Sequence, residues 1–254
     1  MAGHCGWVLM LLPFFFLLGC ADSGGLRVAR EVTGPGDTNC YLIYDTQSRE
    51  AALIDVGGEV YSLLALIEAH ELHLKYIFAT HSHMDHMEGT PAIRDRFPGA
   101  PFCCNGGDYE DFLVSREWAL EHMDPAEISA MRQHPGYSKW FDYDMTIFKE
   151  PDILLEDGQI YSLGDVEIRT IHSPGHSRGS MCFRVGNALF SGDVLFCRSV
   201  GHTGSMNGSM EQLTASVRRL YDELPDETVV YPGHGEFTDI GSEKTGNEVI
   251  RPVP

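Results

Sequence analysis

Three histidines and an aspartate lie within six residues of each other: His81, His83, Asp85 and His86. They follow residues 76–79, a short aromatic and β-branched run that is typical of a buried strand. The cluster is therefore predicted on a loop leaving a strand end, where α/β sheets present side chains to a shared crevice. Imidazole and carboxylate groups together suit zinc, iron or manganese, so the spacing predicts a metal site.

Three further candidate ligands occupy similar positions later in the chain. His176, Asp193 and His234 each follow an apolar run and stand beside Gly or Pro, so each is predicted on a tight loop at a strand end. With the first cluster they make five histidines and two aspartates. Seven such donors can hold two metal ions, with one carboxylate bridging them and positions left open for water.

The elements that must position these ligands alternate between strand and helix patterns. An antiparallel meander of three strands is predicted at residues 26–31, 40–44 and 51–55. Further strands are predicted at residues 76–79, 100–104, 153–155, 166–171, 181–185, 188–191 and 228–231. Helices are predicted at residues 59–70, 90–97 and 209–223.

An irregular, aromatic and partly helical segment at about residues 105–150 interrupts this alternation. We treat it as an insertion in the domain formed by residues 26–254. Aromatic side chains of this kind are expected to pack against the main body, and a lid over the crevice is the alternative.

Length and charge set the broad class. The chain has 254 residues, enough for one large domain or two small ones with a sizeable core. Its net charge is -19, from 18 Lys and Arg against 37 Asp and Glu. An acidic chain repels phosphate backbones, so we expect a small-molecule substrate and no nucleic acid.

The first 25 residues are predicted to lie outside the fold. Residues 7–19 form an apolar run, interrupted by Pro13, that is too short to span a bilayer and matches a secretory signal. The run ends in a bacterial lipoprotein pattern at Cys20, which predicts an exported, periplasmic or membrane-anchored protein with a lipid anchor there. No Lys or Arg precedes Arg27, so an uncleaved anchor, a start-site error and a cytoplasmic location are the alternatives.

Four segments, T-H-S-H-M-D-H-M-E-G, S-P-G-H-S-R-G-S, F-S-G-D-V-L-F and Y-P-G-H-G, resemble in order the motifs of metallo-β-lactamase-fold hydrolases. The nearest group is the short glyoxalase II-like (hydroxyacylglutathione hydrolase-like) proteins. The resemblance covers residues 26–254 and implies an α/β, four-layer αββα sandwich with two zinc ions at one edge, iron or manganese being alternatives. It implies one metal on His81, His83 and His176. It implies a second on Asp85, His86 and His234, with Asp193 bridging.

The resemblance also implies an enzyme, a hydrolase in which a hydroxide bridging the metals attacks a thioester, ester or lactone carbonyl. Asp85 gains a second predicted role, orienting or deprotonating the metal-bound water. The alternatives are a mononuclear iron oxygenase resembling persulfide dioxygenases, and an exported β-lactam or lactone hydrolase. A non-catalytic metal-binding module is disfavoured because no ligand is missing.

The chain departs from the family pattern in two places. Relatives often have G-R-T-D where this chain has G-H-T-G at residues 201–204, so His202 and Arg198 are predicted substrate contacts, with a structural loop role as the alternative. True glyoxalase II enzymes carry a C-terminal helical domain that helps to bind glutathione. Only residues 235–254 follow the last ligand, so we expect that domain to be absent and do not carry over glutathione specificity.

Overall fold

Two mixed β-sheets stacked face to face form the centre of the structure, a computed structural model that describes residues 17–18, 25–34, 36–134 and 138–252. One apolar cluster fills the space between the sheets, and two others fill the space between each sheet and its outer helices. The predicted four-layer αββα sandwich is confirmed.

Within the described residues the first sheet has seven strands in chain order: β1 (Leu17–Leu18), β2 (Leu26–Thr33), β3 (Thr38–Asp45), β4 (Glu50–Ile54), β5 (His73–Phe78), β6 (Phe102–Cys104) and β7 (Ile153–Leu154). Strands β1 to β4 pair antiparallel, which confirms the predicted meander. Strands β4 to β7 pair parallel, so the ends of β5 and β6 lie at one edge.

The second sheet, in the described part of the chain, has six strands: β8 (Ile160–Leu163), β9 (Val166–His172), β10 (Met181–Val185), β11 (Ala188–Gly192), β12 (Val229–Pro232) and β13 (Thr238–Asp239). Strands β11 and β12 are parallel. Because β10 is antiparallel to both β9 and β11, strands β9, β11 and β12 all point the same way. Their carboxyl ends therefore meet at one edge.

The helices of the described residues are α1 (Tyr61–Ala69), α2 (Met84–Met87), α3 (Thr90–Arg96), α4 (Gly106–His122), α5 (Pro125–Gln133), α6 (Met210–Glu223) and α7 (Ile240–Gly246). Two 3-10 helices cover Ser138–Phe141 and Met145–Ile147. Helix α6 begins where the sequence predicts, with the Ser209 side chain accepting a hydrogen bond from the Gln212 N–H. None of the helices in these ranges is long and apolar enough to cross a membrane.

Strand β3 shows how the sequence specifies two cores at once. Its side chains are buried on both faces, so residues 40–44 are continuously apolar rather than alternating. Cys40 and Leu42 pack under the outer helices, whereas Tyr41 and Ile43 point between the two sheets. The period of two along the strand therefore distributes its side chains between two apolar layers.

Five short elements, β1, β8, β13, α2 and α7, were not predicted. Strand β8 is mostly half-exposed or exposed, so its residues show no clear apolar period. Helix α2 has only four residues and lies inside the histidine loop, below the length at which a helical period is visible. Leu17–Leu18 pair with β2 in the first sheet, so the prediction that the first 25 residues lie outside the fold is wrong for these two. Residues 1–16 and 19–24, Cys20 included, lie outside the described residues, and export and lipidation stay predictions.

The cysteines of the described residues are all free thiols, and only Cys197 is exposed. Burial raises the pKa of Cys103 and of Cys182 to about 12, so both thiols stay protonated at neutral pH.

We expect Cys197→Ser to remove one fast-reacting thiol per chain in an assay with Ellman's reagent at pH 8. The matched variant Cys182→Ser should leave the fast phase unchanged. An equal loss in both variants would contradict this assignment.

Candidate metal centre

The seven predicted ligands come together at the edge where the strand ends meet. His81 follows β5, His176 follows β9, Asp193 follows β11 and His234 follows β12. Backbone hydrogen bonds join the two sheets at this edge: the Met181 N–H donates to the Thr80 carbonyl at 2.8 Å, and that of Asn39 to Gly233 at 2.7 Å. The sandwich thus presents loops from both sheets to one space.

Three histidines form the first group of donors. The Nε2 atom of His176 lies 3.1 Å from Nε2 of His81 and 2.9 Å from Nδ1 of His83. His81 and His176 are buried, and His83 is partly buried. Their ligand atoms lie close enough to share one ion.

The second group comprises Asp85, His86 and His234. The Nε2 atoms of His86 and His234 are 3.2 Å apart, and Oδ2 of Asp85 lies 3.4 Å from Nε2 of His234. Asp193 lies between the groups. Its Oδ1 is 3.4 Å from Nε2 of His86, and its Oδ2 is 3.5 Å from Nε2 of His176.

Hydrogen bonds behind the rings determine which nitrogens face the cluster. Nδ1 of His176 is 2.7 Å from the carbonyl oxygen of His202, and Nδ1 of His86 is 3.0 Å from a carboxylate oxygen of Asp55. Since neither oxygen can donate, both Nδ1 atoms carry the proton. Nε2 is therefore the atom that His176 and His86 each turn toward the cluster and the one that would bind a metal.

His81 follows the same rule through Thr80. The Thr80 hydroxyl donates to Asp55 at 2.8 Å, so it accepts from Nδ1 of His81, 3.0 Å away. Nε2 of His81 then faces Nε2 of His176 with lone pair against lone pair. Such a contact needs a cation between the two atoms.

The donor set fits divalent metal ions. Two nitrogens bound to one tetrahedral zinc at about 2.0–2.1 Å would lie about 3.3 Å apart, close to the separations seen within each group. Asp193 Oδ1 is buried and has no hydrogen-bond partner among the described residues, as expected for an oxygen whose partner is a metal. His81, His83 and His176 would hold one ion, Asp85, His86 and His234 the other, and Asp193 would contact both.

The two groups differ in their electrostatics. Burial, reinforced by neighbouring histidines, lowers the pKa of His81 and of His176 well below the usual value, so both rings are neutral ligands. Burial also acts to lower the pKa of His86, but the carboxylates of Asp193 and Asp85 outweigh it and raise that pKa to about 10. The second group therefore favours a positive charge, which a divalent cation supplies.

Asp55 is a part of the site that the sequence did not reveal. It lies one residue beyond β4, is buried and has a φ of 57°. Its carboxylate accepts hydrogen bonds from the Thr80 N–H at 2.7 Å, from the Thr80 hydroxyl and from His86. An acid that follows an apolar strand and precedes Gly57 is the same local signal that identified Asp193.

Two glycines let the backbone approach the ligands. A Cβ atom on Gly233 would lie 2.3 Å from Oδ1 of Asp193, and one on Gly201 would lie 2.8 Å from Nδ1 of His176. Both distances are too short for non-bonded atoms, so no other residue fits at either position without moving a ligand. Gly233, beside the predicted ligand His234, and Gly201 are therefore packing requirements of the cluster.

Asp108, from helix α4, fastens the first two ligand loops together. Its carboxylate accepts from the Ser82 N–H at 2.7 Å and from the Gly179 N–H at 2.9 Å. The side chain is fully buried. It joins the loop carrying His81 and His83 to the loop carrying His176, so the insertion contributes to the geometry of the cluster.

A cavity of about 730 Å³ opens beside the cluster. His83, Asp85, Asp193 and His234 line one end of it. Side chains of the insertion, Trp118 among them, and residues of the segment 196–206 line most of the rest. Such a volume is typical of small-molecule sites.

The predicted packing of the insertion is confirmed only in part. Tyr143 packs against the main body, and its hydroxyl donates to Glu88 at 2.7 Å. Trp118 and Trp140 pack within the insertion and also line the cavity, which agrees with the alternative of a cover over the crevice.

The two predicted substrate contacts lie in different places. The His202 ring lines the cavity and stacks on His83, with the ring centres 6.2 Å apart. Arg198 is exposed and does not line the cavity, and its N–H donates to Glu243 at 2.9 Å. A Cβ on Gly246 would overlap its guanidinium. The structure thus brings His202, but not Arg198, to the site.

Comparison with known proteins agrees with this geometry. A family model described as the metallo-beta-lactamase superfamily matches residues 33–234. The hydroxyacylglutathione hydrolase GloC of Haemophilus influenzae is 32% identical over 214 residues, which cover 84% of this chain and 92% of that protein.

Two solved structures match at similar identity. BLEG-1, described as a B3 metallo-beta-lactamase, has a TM-score of 0.68 and 31% identity, covering 87% of this chain and 98% of that one. TTHA1623, described in a di-iron-bound form, has a TM-score of 0.65 and 31% identity, and the match covers 86% of this chain and 98% of that one. The similarity therefore extends over both sheets and the ligand loops.

Proposed function

The chain belongs to the metallo-beta-lactamase superfamily, and we propose that it is a di-metal hydrolase that cleaves a thioester, ester or lactone of a small molecule. The observation that carries this proposal is the seven-donor cluster at the end of a cavity large enough for a substrate. The name of the relative GloC, a hydroxyacylglutathione hydrolase, supports hydrolysis of a thioester.

Metal ions bound here would polarise a carbonyl and lower the pKa of water so that it can attack at neutral pH. The chain's own residues hold the ligands in place. His202 and Asp55 fix the ring orientations of His176 and His86, so that the ligand atoms are preorganised.

We assign Asp85 to orienting the attacking water, since its carboxylate can accept a hydrogen bond from that water. Burial acts to raise the pKa of this carboxyl, but His86 and His234 outweigh it and hold the pKa well below its usual range. The carboxylate is therefore ionised at neutral pH. Its Oδ2 also accepts a hydrogen bond from the Thr38 hydroxyl, at 3.4 Å, which orients it.

Metal analysis of the purified protein tests the proposal most directly. We expect about two zinc ions per chain. Removal of the metal with a chelator should abolish hydrolysis of a panel containing S-lactoylglutathione, a lactone and a chromogenic β-lactam, and zinc should restore it. The β-lactam is included because of the similarity to BLEG-1.

The same measurement separates the alternatives. Two iron ions, as the di-iron form of TTHA1623 suggests, would change the metal but keep the proposed reaction. About one iron per chain with oxygen consumption, and no hydrolysis, would contradict the proposal and favour the oxygenase.

A further inference from the structure

We propose that the cavity binds the neutral, apolar acyl chain of a medium-chain ester or thioester, with the carbonyl at the cluster. The inference rests on the proposed hydrolase function and specifies its substrate class. The cavity, of about 730 Å³, extends from His83 and Asp193 at one end to the insertion at the other. An elongated substrate can therefore place its reacting group and its chain in one space.

The far wall of the cavity is apolar. Four large side chains of the insertion line it: Trp118, Met123, Met131 and Trp140. They belong to α4, to α5, to the loop between them and to the first 3-10 helix, and they surround Ile128 and Phe141. Flexible methionines beside rigid tryptophans can accommodate chains of differing shape.

Away from the ligand cluster, the described lining of the cavity has no lysine or arginine to pair with an anionic substrate. Five of the lining residues are instead acidic: Asp85, Asp108, Asp111, Glu127 and Asp193. The carboxylates of glutathione, or the phosphates of a nucleotide thioester, would lose hydration there without an opposite charge. The part of the substrate inside the cavity is therefore neutral.

Two of the acidic lining residues, Asp111 and Asp108, already have partners, and Glu127 is exposed, so the lining does not call for a cation. Asp111 pairs with Arg178 at 2.8 Å and accepts from Asn207 at 2.9 Å. Asp108 accepts the two backbone N–H groups of the ligand loops. Together with the Tyr143–Glu88 hydrogen bond, these contacts hold the insertion against the cluster, so the wall keeps its position.

Kinetics of the zinc-loaded enzyme on matched substrates test the inference. We expect kcat/KM for p-nitrophenyl octanoate to exceed that for the acetate by about 10²-fold or more, since each buried methylene contributes roughly a fourfold gain and burial of about three or four of the added methylenes already gives this ratio. S-octanoyl-N-acetylcysteamine should be preferred to S-octanoylglutathione, and p-nitrophenyl octanoate to octanoylcholine.

Substitutions in the apolar wall test whether its side chains cause the preference for the longer acyl chain. Trp118→Ala should lower kcat/KM for the octanoate by about 10-fold and leave the acetate nearly unchanged, because only the long chain reaches the wall. Trp118→Phe should recover most of the loss, and Trp140→Ala supplies an independent variant. Leu120→Ala is the matched control, since this α4 residue is 48% exposed and does not line the cavity.

Binding of octanamide, which is not readily hydrolysed, gives a readout that does not depend on activity. Trp118 and Trp140 are two of the three tryptophans, so octanamide should change the fluorescence, and less so in Trp118→Phe. If no ester or thioester is cleaved but octanamide binds, the hydrolase proposal fails and the cavity assignment stands. Equal rates for acetate and octanoate, a preference for the glutathione or choline compound, or no fluorescence change would overturn the inference.

Discussion

Replacing His81 with alanine is expected to remove bound metal and to abolish hydrolysis in the same variant. His81 is 1% exposed, and its Nε2 faces Nε2 of His176 at 3.1 Å, so its loss removes one ligand of the first group. We expect kcat/KM to fall by about 10³-fold or more, because the metal both polarises the carbonyl and activates water. Metal content and initial rates measured on the same preparation test this.

A control variant separates the loss of metal from a loss of folding. His73, the first residue of β5, is exposed, so His73→Ala should keep metal and activity. His234→Ala removes a less buried ligand of the second group and provides a second variant if His81→Ala folds poorly. Full activity in a variant that holds no metal would overturn the assignment.

The cluster was predictable because the residues next to each ligand in the sequence identify it as lying at a strand end. His176, Asp193 and His234 each follow an apolar strand and lie beside a glycine or proline. Since strands of one sheet that run in the same direction end at the same edge, such a pattern implies a meeting point without knowledge of the tertiary structure. The glycines were visible too, although their purpose, close approach to Asp193 and His176, appears only in the structure.

The orientation of the insertion could not be predicted in the same way. Its helices have a mixed apolar and charged pattern, so no face is marked as the buried one. The contacts that turn it toward the cluster are Asp111 with Arg178 and Tyr143 with Glu88, which are distant in sequence. Such pairs join residues that are far apart in sequence, so no short sequence pattern reveals them. They decide whether the insertion packs against the main body or covers the cavity.

Asp55 is the second position where a single substitution should have a large effect. Its carboxylate accepts three hydrogen bonds, two from Thr80 and one from Nδ1 of His86. In Asp55→Ala the three donors lose their partner in a buried site, and an alanine must adopt a φ of 57°, which asparagine and aspartate tolerate better. We expect the free energy of unfolding to fall by about 2–4 kcal/mol, measured by urea denaturation.

Asp55→Asn isolates the effect on the metal, because it keeps the shape and the backbone conformation while removing the charge. An amide can present its NH₂ group to Nδ1 of His86, which favours the tautomer whose proton lies on Nε2 and so opposes metal binding. Zinc affinity, measured by competition with a chromophoric chelator, should fall about 10–100-fold.

Asp45→Asn is the matched control, since Asp45 is an equally buried aspartate that accepts backbone N–H groups in the turn after β3. It should lower stability without changing zinc affinity. If Asp55→Asn and Asp45→Asn bound zinc equally well, Asp55 would serve the fold alone. A loss of zinc affinity in Asp55→Asn alone would instead show that Asp55 holds the His86 ring. It would also explain why an acid occupies a strained position behind the ligands.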